Sequence, residues 1–123
     1  MKLRMAFVMD PVGAINTEKD TTFVLMLEAQ ARGHEVLYLE LKDLFVKNAK
    51  AFGSAARITL KRGADYYKLG GSETVEMETF DAVWMRKDPP FNQDYIYATY
   101  ILSLIDPGKT KVINNPRGIR ESN

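Results

Sequence analysis

LRMAFVMDPVGAINTEKDTTFVLMLEAQARGHEVLYLEL, residues Leu3–Leu41, decides the fold. Leu3 to Met9 is a short, β-prone apolar run broken only by Arg4, the pattern of a buried strand. Asp10-Pro11-Val12-Gly13 stops it, because proline withholds a backbone donor and glycine permits a turn. A long polar loop follows, from Pro11 to Lys19. Asp20 or Thr21 then caps a helix that runs to Arg32, with Phe23, Met26, Leu27 and Ala31 at helical spacing on one face. Gly33 supplies the left-handed residue past the helix end. His34 to Leu41 is a second strand, with Val36, Leu37 and Leu39 as its apolar residues. Strand, helix and strand in this order make a βαβ unit, whose two strands are parallel and whose crossover is right-handed.

Outward from this unit, Lys42 to Leu44 is a short connector. The segment Val46 to Tyr67 alternates raggedly. Phe45–Phe52 and Ala56–Lys61 read as two strands around a Gly53-Ser54 turn, a β-hairpin predicted to project from the domain and to serve self-association. Glu73 to Glu78 alternates polar and apolar residues, as an edge strand does. Phe80 to Met85 is the third main strand. A second helix is predicted from Asn92–Asp94 to Ile105, with Tyr97, Tyr100, Ile101, Leu104 and Ile105 as its apolar face. Asp106-Pro107-Gly108 ends that helix, and Lys111 to Ile113 is a fourth main strand. Asn115 followed by Pro116 has the form of another helix start. The predicted fold is α/β: a Rossmann-like open parallel sheet, with its main strands ordered second, first, third, fourth and with an inserted β-hairpin.

Composition narrows the function classes. The 123 residues suffice for one domain. Lys and Arg number 17 and Asp and Glu 16, so no excess of positive charge favours a nucleic acid or a membrane surface. Cysteine is absent and histidine occurs once, so the chain offers neither thiolate chemistry nor a His cluster for a metal. No apolar run approaches the roughly 20 residues that span a bilayer, and a cytoplasmic location is expected. The first strand is followed by DPVGAIN rather than G-x-G-x-x-G, which disfavours a dinucleotide site. No phosphate-binding P-loop and no G-x-S-x-G elbow are present. His34 enters its strand at the amino end, away from a ligand, and is read as structural. The methionines are scattered like core fillers.

Open α/β sheets bind ligands beyond the carboxyl ends of their strands. Two loops leave such ends with polar side chains. One runs from Asp10 to Lys19 and carries Asn16. The other starts at Arg86 in WMRKDPPF, Trp84–Phe91. Arg86 offers a rigid two-pronged donor suited to a carboxylate, and Lys87 adds a point charge. Pro89-Pro90 stiffens the exit without using a backbone N–H. The competing reading is a structural ion pair of Arg86 with Asp88 or with Asp10. From the residues alone, a free-standing small-molecule-binding or regulatory α/β module is as good an account as an enzyme domain.

MRKDPPF followed by DYIYATYIL resembles the N-terminal domain of prokaryotic glutathione synthetase. FVMDP (Phe7–Pro11), the Asn16-to-Phe23 loop and cap, MLEAQARGHEV (Met26–Val36) and INNPRGIRESN (Ile113–Asn123) extend the resemblance over nearly the whole chain, with Lys61 to Thr79 matched only loosely. The resemblance implies a pre-ATP-grasp substrate domain, the first of three parts of a ligase, with the lid and ATP-binding parts not included in this chain. The family joins γ-glutamylcysteine to glycine. ATP phosphorylates the cysteinyl carboxylate, glycine attacks the acyl phosphate, and Mg2+ bridges the nucleotide phosphates. The resemblance therefore implies ATP and Mg2+ for the complete enzyme and neither cofactor nor catalysis for these residues alone. It implies a homo-oligomer, while the charge balance and the short apolar runs argue for no nucleic acid and no membrane as partners. By the same likeness the loops after the first and third main strands face the acceptor substrate. Arg86, Lys87, Asp10 and Asn16 are then the substrate-binding candidates, with Arg86 on a carboxylate of γ-glutamylcysteine and Lys87 bracing its loop. The Val46-to-Glu78 region is expected to affect surface and assembly more than the site.

Overall fold

A computed structural model describes residues 1–87 and 92–114. Asp88, the Pro89-Pro90 pair and the helix start expected at Asn115-Pro116 lie outside the described residues. Four parallel strands form the centre. They are β1 (Arg4–Met9), β2 (Glu35–Leu39), β6 (Ala82–Arg86) and β7 (Lys111–Asn114). Their spatial order is β2-β1-β6-β7, the order expected for the four main strands. In β1, Ala6 to Met9 are all buried, and so are Val36 to Leu39 in β2. Such unbroken burial means that both faces of the sheet are covered.

The covers are the two helices, α1 (Thr21–Ala31) and α2 (Gln93–Leu102). Successive residues of a strand point to opposite faces. Phe7 and Met9 accordingly join Phe23, Met26 and Ala29 of α1 in one core, while Ala6 and Val8 join Ala98, Ile101, Leu102 and Ile105 in the other. Asp20 caps α1, its carboxylate accepting from the backbone N–H of Thr22 at 2.7 Å and of Phe23 at 3.2 Å. Gly33 closes the helix with φ +84°, the left-handed conformation expected of it. The buried stripe of α1 departs from the expected one. Ala31 is exposed, and Thr22 and Ala29 take its place. On α2 the departure is larger: the helix ends at Leu102 rather than Ile105, Tyr97 and Tyr100 are 60% and 58% exposed, and the stripe against the sheet is Ala98, Ile101 and Leu102, with Ile105 buried just past the helix end. The N-terminal half of α2 thus meets the core through the half-buried Tyr95 and leaves the Tyr97 ring in solvent.

The parallel character stops at β2. Beyond it lie β3 (Leu44–Lys47), β4 (Lys50–Leu60) and β5 (Tyr67–Glu76), all antiparallel to their neighbours. β5 pairs along β4 from Phe52 to Leu60, so β2 and β3 share the other edge of β4. The inserted hairpin therefore exists, but it is a three-stranded extension of the main sheet and does not project from it. Its first turn is also elsewhere than expected. Asn48 (φ 54°) and Ala49 (φ 62°) form a two-residue reversal between paired Lys47 and Lys50, the geometry that matches strand twist in a tight hairpin. Gly53 lies inside β4. A Cβ there would meet Leu39 Cδ2 at 2.5 Å and Met77 Sδ at 3.1 Å, so the glycine admits close packing where β4 crosses the β2–β3 junction. The predicted edge strand is likewise longer and starts at Tyr67.

Charges at the amino end of the sheet are mutually paired. Arg4 meets Glu35 at 3.5 Å and Glu73 at 3.3 Å, and its guanidinium stacks over Phe80. His34 Nδ1 accepts from the Leu3 backbone N–H at 3.0 Å, the structural role expected of it. No helix among the described residues is long and apolar enough to cross a membrane.

Candidate functional site

Parallel pairing of Met9 with Arg86 aligns the carboxyl ends of β1 and β6. Asp10 and Lys87 are the next residue of each strand. Lys87 Nζ stands 3.0 Å from Asp10 Oδ1, an ion pair that ties the two loops together. The alternative pairing of Arg86 with Asp10 is therefore not the arrangement found; its other proposed partner, Asp88, is outside the described residues.

Arg86 reaches sideways to the first turn of α1. Its Nε donates to Thr22 Oγ1 at 3.1 Å and its Nη2 to Thr21 Oγ1 at 2.6 Å. Thr22 is buried, so this anchor is fixed. Both acceptors are neutral hydroxyls, and no ion pair to Arg86 forms among the described residues. The guanidinium also sits at the positive end of the helix dipole, where a cation is disfavoured and an anion is favoured. The arrangement presents an oriented positive charge, without an acidic partner among the described residues, at the carboxyl edge of the sheet, where open α/β sheets bind ligands.

Asn16 shapes the other loop. Its Oδ1 accepts from the Glu18 N–H at 3.0 Å, and its carbonyl accepts from Lys19 and Asp20. This side-chain turn brings the chain round to the α1 cap. Asp10, Pro11, Ala14, Asn16, Lys19 and Asp20 line an open cavity of about 490 Å³. The four candidates are thus gathered on one edge: Asp10 and Asn16 in the cavity wall, Lys87 bound to Asp10, and Arg86 over the start of α1.

Three contributors escaped sequence reading. Thr21 and Thr22 carry the Arg86 anchor; hydroxyls directly after an N-cap were the available signal. The third is a pair of tyrosines around Val12. Tyr38 Oη accepts from the Val12 N–H at 3.1 Å and donates to Glu40 Oε2 at 2.6 Å, while Tyr66 Oη donates to the Val12 carbonyl at 2.6 Å. Burial, and then the hydrogen bond to Glu40, raises the Tyr38 pKa above the ordinary tyrosine value. Burial, with Tyr67 nearby, raises that of Tyr66. Tyr66 lies in the segment expected to matter for surface and assembly, and it reaches the β1 loop instead. No local pattern in the sequence signals a contact across 54 residues.

Among the described residues, the features that would receive a nucleotide phosphate or a metal are taken or missing. The N-terminus of α1 is the place where an α/β fold receives phosphate, and here the Asp20 carboxylate already holds its first amides. Among the described residues no group of three or more acidic, His or Cys side chains could hold a metal ion.

The family model for the N-terminal domain of prokaryotic glutathione synthetase matches residues 3–120. Among curated relatives, a glutathione synthetase of Vibrio vulnificus is 41% identical over 124 aligned residues, which take in 100% of this chain and 39% of that protein. One from Coxiella burnetii gives the same identity and coverage. One from Salmonella typhimurium is 38% identical over 98% of this chain and 39% of its own length. The chain thus spans about 39% of the length of the relatives it matches.

Proposed function

Because the chain belongs to the family of prokaryotic glutathione synthetase N-terminal domains, we propose that it forms the acceptor-substrate wall of an ATP-dependent ligase that joins γ-glutamylcysteine to glycine. In that reaction a phosphoryl group moves from ATP to the cysteinyl carboxylate. The glycine amine then forms the new C–N bond as phosphate leaves and the amine gives up a proton. ATP and Mg2+ are assigned to residues beyond these 123, in the ATP-grasp region, because the α1 N-terminus here is occupied by Asp20. Residues 1–123 alone are accordingly assigned no turnover. The same reading places the enzyme in the cytoplasm as a homo-oligomer; exposed Ile96, Tyr97 and Tyr100 on α2 supply apolar surface for assembly.

The observation that carries the substrate assignment is the Arg86 anchor. Two neutral hydroxyls aim the guanidinium, and no carboxylate among the described residues pairs with it, so a carboxylate of γ-glutamylcysteine suits it as a charge-assisted partner. The Asp10–Lys87 pair joins the two loops that flank the peptide, and Asn16 shapes the cavity wall.

The test is turnover by the full-length protein. With ATP, γ-glutamylcysteine and glycine it should release glutathione and ADP in equal amounts. Arg86→Ala should raise KM for γ-glutamylcysteine by about ten- to a hundredfold, the value of one charged hydrogen bond, with KM for ATP near wild type. A wild-type protein that binds the dipeptide but forms no product would instead be a binding module.

A further inference from the structure

The loop that follows β1 is gripped at a single residue from both sides. Val12 is buried, its N–H is held by Tyr38 and its carbonyl by Tyr66. Each tyrosine is fixed in turn. Tyr38 donates its O–H to Glu40, whose backbone N–H donates to Asp43 Oδ2 at 2.8 Å in the capped turn that leads into β3. Tyr66 lies in the β4–β5 turn, stacks edge-on to Phe23 of α1 and gives its own carbonyl to the Lys61 N–H at 2.9 Å. Its neighbour Tyr67 closes over Gly13, where an added Cβ would stand 3.0 Å from the phenol oxygen. The antiparallel extension therefore contacts the loop that carries Asp10 at one end and Asn16 at the other.

We infer that Tyr66 is a positioning residue for the dipeptide substrate: from the β4–β5 turn it holds the β1 loop in the shape that lines the γ-glutamylcysteine site. The inference rests on the function proposed above. A loop with both backbone groups of one residue bonded to rigid side chains cannot shift without breaking a hydrogen bond. Holding it in the free protein removes an ordering cost that substrate binding would otherwise bear. The parallel strand β2 supplies one half of this brace through Tyr38, and the antiparallel extension supplies the other through Tyr66.

The test uses the full-length enzyme with Tyr66→Phe, which removes one hydroxyl and keeps the ring. KM for γ-glutamylcysteine should rise about two- to tenfold, the worth of one neutral hydrogen bond, with kcat and KM for ATP unchanged. Hydrogen exchange at the Val12 and Ala14 amides should quicken. As a second route, Gly13→Ala should raise the same KM by pressing on the Tyr67 hydroxyl, and Tyr67→Phe in that background should restore it. Faster exchange with an unchanged KM would make Tyr66 structural only and overturn the inference, as would unchanged exchange. If the wild-type enzyme shows no saturation with γ-glutamylcysteine, it is the proposed function that fails. The exchange measurement then decides the brace by itself, and retained protection in Tyr66→Phe overturns it.

Discussion

Arg86 on β6 donates from Nε to Thr22 Oγ1 on α1 at 3.1 Å, so the residue that faces the ligand edge also fastens a helix to the sheet. On the function proposed above, binding and stability would be coupled at this position. Arg86→Ala is then expected to lose both, and a change on the acceptor side of the bond tests the structural part.

Thr22→Val keeps the buried shape and deletes the acceptor. Unfolding in urea should show a loss of about 1–3 kcal/mol, because a half-buried charged donor is left without its partner. KM for γ-glutamylcysteine in the full-length protein should rise as well, since the guanidinium loses its aim. Thr21→Ala, at an exposed position, should cost less than Thr22→Val. A Thr22→Val protein with wild-type stability and affinity would show that the contact orients nothing.

The ion pair between Lys87 and Asp10 has side chains 18% and 31% exposed. That is more sheltered than a typical surface pair, for which 0 to about 1 kcal/mol is usual. A double-mutant cycle with Lys87→Met and Asp10→Asn should give a coupling of about 1 kcal/mol, shrinking in high salt. Zero coupling at low salt would mean that the two loops are not tied together.

Tyr38 predicts an alkaline limit. Its folded pKa is raised, by burial first and by Glu40 next, so the folded state keeps the phenol proton after the unfolded chain has lost it. The unfolded state then binds fewer protons, and stability must fall as pH rises. Its contribution is complete below the unfolded value of 10.0 and is lost above it, at up to about 1.4 kcal/mol per pH unit. Urea titrations from pH 8 to 11 should show this fall, and Tyr38→Phe should flatten it. An equal slope in the variant would assign the alkaline loss to other groups.

Much of this molecule was legible locally. Asp20, the helix behind it and Gly33 are short-range features, set by which side chain reaches which backbone group within a few residues. The buried runs of β1 and β2 announced a covered parallel sheet for the same reason. Arg86, Lys87, Asp10 and Asn16 could be assigned to one edge because strand direction alone places them there. Motif likeness carried the family, as the match over residues 3–120 shows.

The hairpin turn was misplaced because Gly53 looks like a turn residue. Only the structure shows that its missing side chain makes room for Leu39 and Met77. The exposed Tyr97 and Tyr100 were misread as core because a helix with apolar residues on several sides does not state which side meets the sheet.

The sequence by itself determined the βαβ frame, the caps and the edge on which polar residues collect, since each depends on neighbours along the chain. The tertiary structure alone decided what those residues hold: Arg86 against Thr22, Lys87 against Asp10, Tyr66 against Val12. Such partners lie tens of residues apart, and packing of the whole sheet, rather than local propensity, brings their atoms to bonding distance.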